Sequence, residues 1–178
     1  MPESPPYPYH LGTEYPVMPA TPIAEHCLSV RAGAVTLVVE ARDLALDLDH
    51  STADPDGPTF DDFGASLHVL GASDGVERLR FDCFDKEPHY HYIRPDETTN
   101  VIVRLDDIAE GDPIEWTVGR LRNRLPAMLE HARAGELADE VRADMPSLLD
   151  AIDTVKGMLE EAQRRTHARR AASASASA

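Results

Sequence analysis

The residues of this chain best suited to chemistry lie between His68 and His91. Cys83, Asp85, His89 and His91 gather there around the short segment Lys86-Glu87-Pro88. Imidazole, thiolate and carboxylate are the donors that zinc and other transition metals take, and a His-x-His on an extended strand presents two imidazoles on one side. Beside apolar residues that exclude water, such a group would support metal-assisted chemistry. The candidate ligands are His89, His91, Cys83 and His68, and the cofactor they imply is a divalent ion such as zinc. The same letters also describe ordinary strand, because a buried cysteine packs as a small hydrophobe and histidine and tyrosine suit a half-buried sheet. A Cys–His nucleophile is a third reading, for which the sequence supplies no identifiable oxyanion hole.

What would position these groups is a β-meander. Ala65–Leu70 and Val76–Asp85 flank Asp74-Gly75, a hairpin signal, and His89–Arg94 and Val101–Leu105 follow after short turns, so antiparallel pairing is expected. With Lys86-Glu87-Pro88 as the loop, the cross-strand partners are Asp85 with His89, Cys83 with His91 and Phe81 with Ile93. This odd-length loop is preferred because it makes an apolar pair of Phe81 and Ile93. Carried across the preceding hairpin, the alternation sets His68, Cys83, Asp85, His89 and His91 on one face. The other face then presents Arg78, Arg80, Asp82, Phe84, Tyr90, Tyr92 and Arg94. Of these, Arg80, Tyr90, Tyr92 and Arg94 form a candidate interaction surface, since arginine and tyrosine are enriched in interfaces.

Upstream, residues 1–24 hold seven of the 14 prolines, which favours an extended arm over helix or central strand. Ala34 to Asp49 reads as strand, but its apolar parity switches near Ala41–Asp43, which predicts a bulge or a break there. His50–Gly64 reads as a solvated acidic loop. Its Asp54-Pro55-Asp56-Gly57 lacks the third ligand and closing glutamate of a calcium loop. From Asp112 the period becomes helical. Asp112 suits an N-cap, Pro113 the first helical position, and Glu115 a capping-box partner. Ile114, Val118, Leu121, Leu125, Met128 and Ala132 form one apolar stripe. Met145, Leu148, Ile152, Val155, Leu159 and Ala162 form a second. Two antiparallel helices follow, with a turn at Ala134-Gly135-Glu136; Pro126 and Pro146 should each start or kink a helix. Arg164–Arg170 would place favourable charge at a helix C-terminus.

The expected fold is therefore α+β: an antiparallel meander of four to five strands, then a helical hairpin packed on one face. The expected organisation is a proline-rich arm over 1–29, one domain over 30–165 (sheet 30–106, helices 112–170) and a disordered Ala/Ser tail over 171–178. The formal net charge is −15, carried by the first 115 residues with 23 acidic and 7 basic side chains. That balance disfavours nucleic acid and anionic membrane as partners. Two distant cysteines, no leader-like N-terminus and no long apolar run lead to an expected cytoplasmic location.

Two local resemblances add to this. His89-Tyr90-His91 followed by Asp96 or Glu97 is similar to the metal-binding stretch of cupins, without that motif's flanking glycines; by this resemblance His89, His91 and Glu97 would be ligands. The block Phe81-Asp82-Cys83-Phe84-Asp85 and Pro88-His89-Tyr90-His91-Tyr92, with Ile114-Glu115-Trp116, resembles an uncharacterised bacterial domain family over roughly residues 30–165. It implies no activity. Two functional readings stand: a non-enzymatic binding or protein-interaction domain, with an unknown protein partner or self-association through the second helical stripe, and a metal-dependent protein or enzyme centred on the 79–93 hairpin.

Overall fold

The computed structural model describes residues 12–16, 21–47 and 61–176. Most of the proline-rich arm, and Asp54-Pro55-Asp56-Gly57 within the acidic loop, lie outside the described residues. The fold is α+β, with seven antiparallel strands among the described residues rather than four or five. They are β1 (Thr13–Pro16), β2 (Cys27–Ala32), β3 (Val35–Asp43), β4 (Phe63–Gly71), β5 (Glu77–Phe84), β6 (His89–Arg94) and β7 (Thr99–Arg104), in spatial order β1-β7-β6-β5-β4-β3-β2. The two additional strands are the edges. β2 turns into β3 through Gly33-Ala34, where Gly33 has φ +60°, the left-handed backbone that tight hairpins favour at this position. β1 comes from the arm itself, and Pro16 is tolerated there because an edge strand leaves one side of its backbone unpaired.

The parity switch in β3 is resolved by a break. Val35, Leu37, Val39 and Ala41 all face the core, and the strand ends at Asp43 instead of reaching Asp49. The Asp43 carboxylate accepts from the amides of Ala45 and Leu46 at 3.0 and 3.2 Å, starting the helical turn α1 (Leu44–Asp47).

After the short α2 (Asp107–Glu110), three helices follow where a hairpin of two was expected: α3 (Pro113–His131), α4 (Gly135–Ala143) and α5 (Met145–Ala176), with α3 and α5 lying on one face of the sheet and α4 packed chiefly on α3. The Asp112 side chain caps α3 by accepting from the Glu115 amide at 2.9 Å. The Glu115 carboxylate does not close a capping box; it pairs with Lys156 of α5. Arg133, at φ 64°, ends α3 and turns the chain into α4. Pro126 lies inside α3 without ending it, and Pro146 sits in the first turn of α5. Both apolar stripes enter the core: Leu121, Leu125, Leu148, Ile152, Val155 and Leu159 pack with Leu37, Leu67, Val69, Leu79 and Phe81.

Helix α5 runs through Ala171–Ala176, residues expected to be disordered, consistent with alanine being the best helix former. Arg169 and Arg170 accordingly lie within the helix and clamp its end to β3 and α1: Arg170 donates twice to Asp43 at 2.7 Å, and Arg169 pairs with Asp47. No helix among the described residues is long and apolar enough to cross a membrane.

Gly64 of β4 marks a close backbone approach, since a Cβ there would lie 2.4 Å from the carbonyl oxygen of Cys83. Gly64→Ala should therefore destabilise the sheet by about 1–3 kcal/mol, read as a lower denaturation midpoint at unchanged m-value.

Candidate metal centre

Two departures from simple alternation decide which side chains meet. A bulge between Val69 and Leu70 places Leu70 opposite Glu77 but Val69 opposite Leu79, so β5 changes parity after Arg78. In the next hairpin Asp82 faces His89, Arg80 faces His91 and Phe81 faces Tyr90; the connection is even in length, not the odd Lys86-Glu87-Pro88 loop. The expected pairs Asp85–His89, Cys83–His91 and Phe81–Ile93 are corrected accordingly. His68, His89 and His91 still share one face because the two shifts cancel between β4 and β6. Every residue of β5 from Leu79 onward exchanges faces.

Cys83 consequently lies on the helix side. Its Sγ is 3.4 Å from Thr117 Oγ1, and burial pushes the thiol up to about 12. It lies outside the histidine cluster, on the other face of the sheet. Tyr90, Tyr92 and Arg94 also face the helices. Tyr90 packs 5.1 Å from Trp116, Tyr92 is 4.5 Å from His131, and Arg94 donates to the His131 carbonyl. Arg80 is on the opposite, polar face and buried. The proposed interaction surface of Arg80, Tyr90, Tyr92 and Arg94 is thus divided between two faces. Asp85 pairs with His167 at 2.9 Å, and Glu97 with Arg133 at 3.5 Å and Arg94 at 3.9 Å.

In place of Cys83 the structure supplies Asp82, which sequence alternation had put on the wrong face. Among the described residues, Asp82, His89 and His91 bring one ligand atom each within 4.8 Å of one another. Asp82 Oδ2 is 3.2 Å from His89 Nε2 and 3.0 Å from His91 Nε2. These separations match an edge of the coordination shell of a first-row ion, roughly 3 Å for ligands about 2.0–2.1 Å from the metal. The second ring nitrogens are both engaged. His89 Nδ1 donates to the Glu87 carbonyl at 2.7 Å, and His91 Nδ1 donates to Asn100 Oδ1 at 3.1 Å. Asn100 is oriented by donating from Nδ2 to the Pro16 carbonyl, so edge strand β1 helps fix the tautomer of a histidine two strands away. With both Nδ1 atoms committed to protein acceptors, both Nε2 atoms converge on one carboxylate oxygen, the outer-shell arrangement that orients metal-binding histidines. Ser66 Oγ donates to the other oxygen of Asp82 at 2.5 Å.

Electrostatics are unusual for a buried sheet face. Burial alone would raise the Asp82 carboxyl, but Arg80 and the two histidines hold it well below the usual carboxylate range. Burial pulls His91 below its ordinary value and keeps it neutral, as a metal ligand must be. His89 is raised: burial opposes its charge, and the Asp82 hydrogen bond outweighs it. His68 stands apart from the triad. Its Nδ1 is 2.7 Å from Glu77 Oε1 and its Nε2 3.3 Å from Glu40 Oε2, so the ring bridges two carboxylates, whose hydrogen bonds raise it above its ordinary value against the effect of burial. Both of its ring nitrogens are engaged outside the triad.

Residues 29–165 match the model of a family described as a domain of unknown function, DUF7700. The chain belongs to this family. No curated protein and no solved structure matches it. The expected membership of an uncharacterised domain family is thereby shown, and the whole of the triad, with His68 and Arg80, lies inside the family domain.

Proposed function

We propose that this domain binds a divalent transition metal, zinc in the first instance, through Asp82, His89 and His91 on the β5–β6 hairpin. The observation that carries this is the commitment of both Nδ1 atoms to acceptors of the protein, which leaves both Nε2 atoms directed at Asp82 Oδ2, where a metal would take the place of any Nε2 proton. Three protein ligands are the complement of a site with an open position, where a bound water could be activated or a substrate oxygen polarised. The test is elemental analysis of purified protein with thermal denaturation before and after chelation. About one metal per chain and a fall in Tm on chelation are expected, both absent in a His89→Ala/His91→Ala double variant. No stoichiometric metal, with unchanged stability after chelation, would overturn the reading.

One observation favours a second reading. Arg80 places Nη2 3.3 Å from His91 Nε2 and Nε 3.3 Å from Asp82 Oδ2, so a guanidinium already stands beside the carboxylate. On this reading the cluster is a metal-free ionic network inside a non-enzymatic binding or protein-interaction domain. Metal-free protein of full stability is its expected result.

A further inference from the structure

Arg80 is nine-tenths buried, and its surroundings are poor in acceptors. Its Nε lies off the line of donation to Asp82 and has no hydrogen-bond partner among the described residues. Its Nη2 donates to His91 Nε2 at 3.3 Å, and its Nη1 is 4.0 Å from Glu77, whose Oε1 is engaged with His68. A metal on Asp82, His89 and His91 would take the His91 lone pair from Nη2 and occupy Asp82 Oδ2. The guanidinium would then hold several buried donors without acceptors, at a cost comparable to losing a hydrogen bond for each. Charge leads to the same point. A divalent ion, one carboxylate and one guanidinium leave two uncompensated positive charges in a buried place. The nearby carboxylates Glu40 and Glu77 are tied to the His68 imidazolium and Arg42.

We infer that the metal centre is completed by a small oxyanion, a carboxylate or phosphate, that takes the open metal position through one oxygen and accepts from Arg80 through another. A planar guanidinium fork suits such a group, and His89, with 19 % of its side chain exposed, gives the site an opening to solvent. The inference rests on the metal reading above and names the class of ligand that site would take.

Cobalt(II) can report on it, since its visible absorption responds to the ligand set. The full chain is loaded with cobalt(II) and titrated separately with acetate and with inorganic phosphate. A saturable spectral change with at least one of them is expected, with cobalt affinity rising about tenfold in its presence, the reciprocal coupling of two ligands at one centre. In Arg80→Met the anion response should vanish while cobalt(II) still binds, and more tightly, because a neighbouring positive charge is gone. Cobalt(II) binding with neither anion changing spectrum or affinity would overturn the inference alone. Failure of cobalt(II) to bind at all would remove the metal reading and the inference with it. The wild-type titration decides the matter even if Arg80→Met does not fold.

Discussion

Asp82→Ala is expected to destabilise the folded domain by about 3–5 kcal/mol, the largest effect of any single polar substitution on the sheet, and to abolish metal binding. Asp82 is buried and holds four neighbours: Ser66 through one oxygen, and Arg80, His89 and His91 about the other. Truncation leaves Arg80 buried beside no carboxylate except the more distant Glu77. Asp82→Asn separates the two roles. The amide keeps the shape and an oxygen for Ser66, so part of the stability should return, whereas metal affinity should stay lost because a neutral amide is a poor ligand for zinc. Urea unfolding and metal titration on both variants measure this. Asp82→Asn with wild-type metal affinity would show that the carboxylate is not a ligand.

The second large effect is expected at His68. The ring lies between Glu77 and Glu40 from β5 and β3, with Arg42 and Arg80 as the neighbouring cations. Burial opposes its charge, but the hydrogen bonds with Glu40 and Glu77 outweigh burial and raise it above the ordinary 6.5. A group whose folded value is raised contributes stability that is complete below about pH 6.5 and is lost as pH rises through the folded value. Stability should therefore fall on the alkaline side, as the imidazolium linking two carboxylates is neutralised. Glu40 acts in the opposite sense. Burial would raise it, yet His68 and Arg42 hold it below 4.5, so its contribution is lost as pH falls below that range. His68→Gln should cost about 3 kcal/mol near pH 6 and flatten the alkaline limb. An alkaline limb unchanged in His68→Gln would mean that other groups set it.

The helical half was legible because its signals are local. Asp112 as a cap, Pro113 in the first turn and two stripes at helical spacing need no distant partner to be recognised, and each is found where expected. Helix α4 is hidden by its shortness: its nine residues place Leu137, Ala138 and Val141 on one apolar face, but a single turn of such spacing does not stand out between the two longer stripes. The Ala/Ser tail was read from its low complexity, although alanine's helix propensity argues for continuation of α5. The edge strands were hidden for related reasons: β2 has a mixed exposure pattern, and β1 is four exposed residues inside a proline-rich arm.

The candidate site was half legible. His89 and His91 stand out by type and spacing, and sequence alternation alone places them on one face. Which residue of β5 joins them depends on register, and two registers satisfy the same letters. Phe81 opposite Ile93 makes one apolar row; Phe81 opposite Tyr90, with Leu79 opposite Tyr92, makes another. Packing against Trp116 and His131 of α3 selects the second, because tyrosine rings fill the space beneath the helix. The sequence by itself determined the α+β class, the helical stripes and the pairing of the two histidines, all consequences of periodicity within a segment. Only the tertiary structure decided that Asp82 and Arg80 meet those histidines while Cys83 enters the core. A side-chain period of two makes every face assignment hostage to a shift of one residue, and two such shifts occur, the bulge at Val69–Leu70 and the even-length connection between β5 and β6.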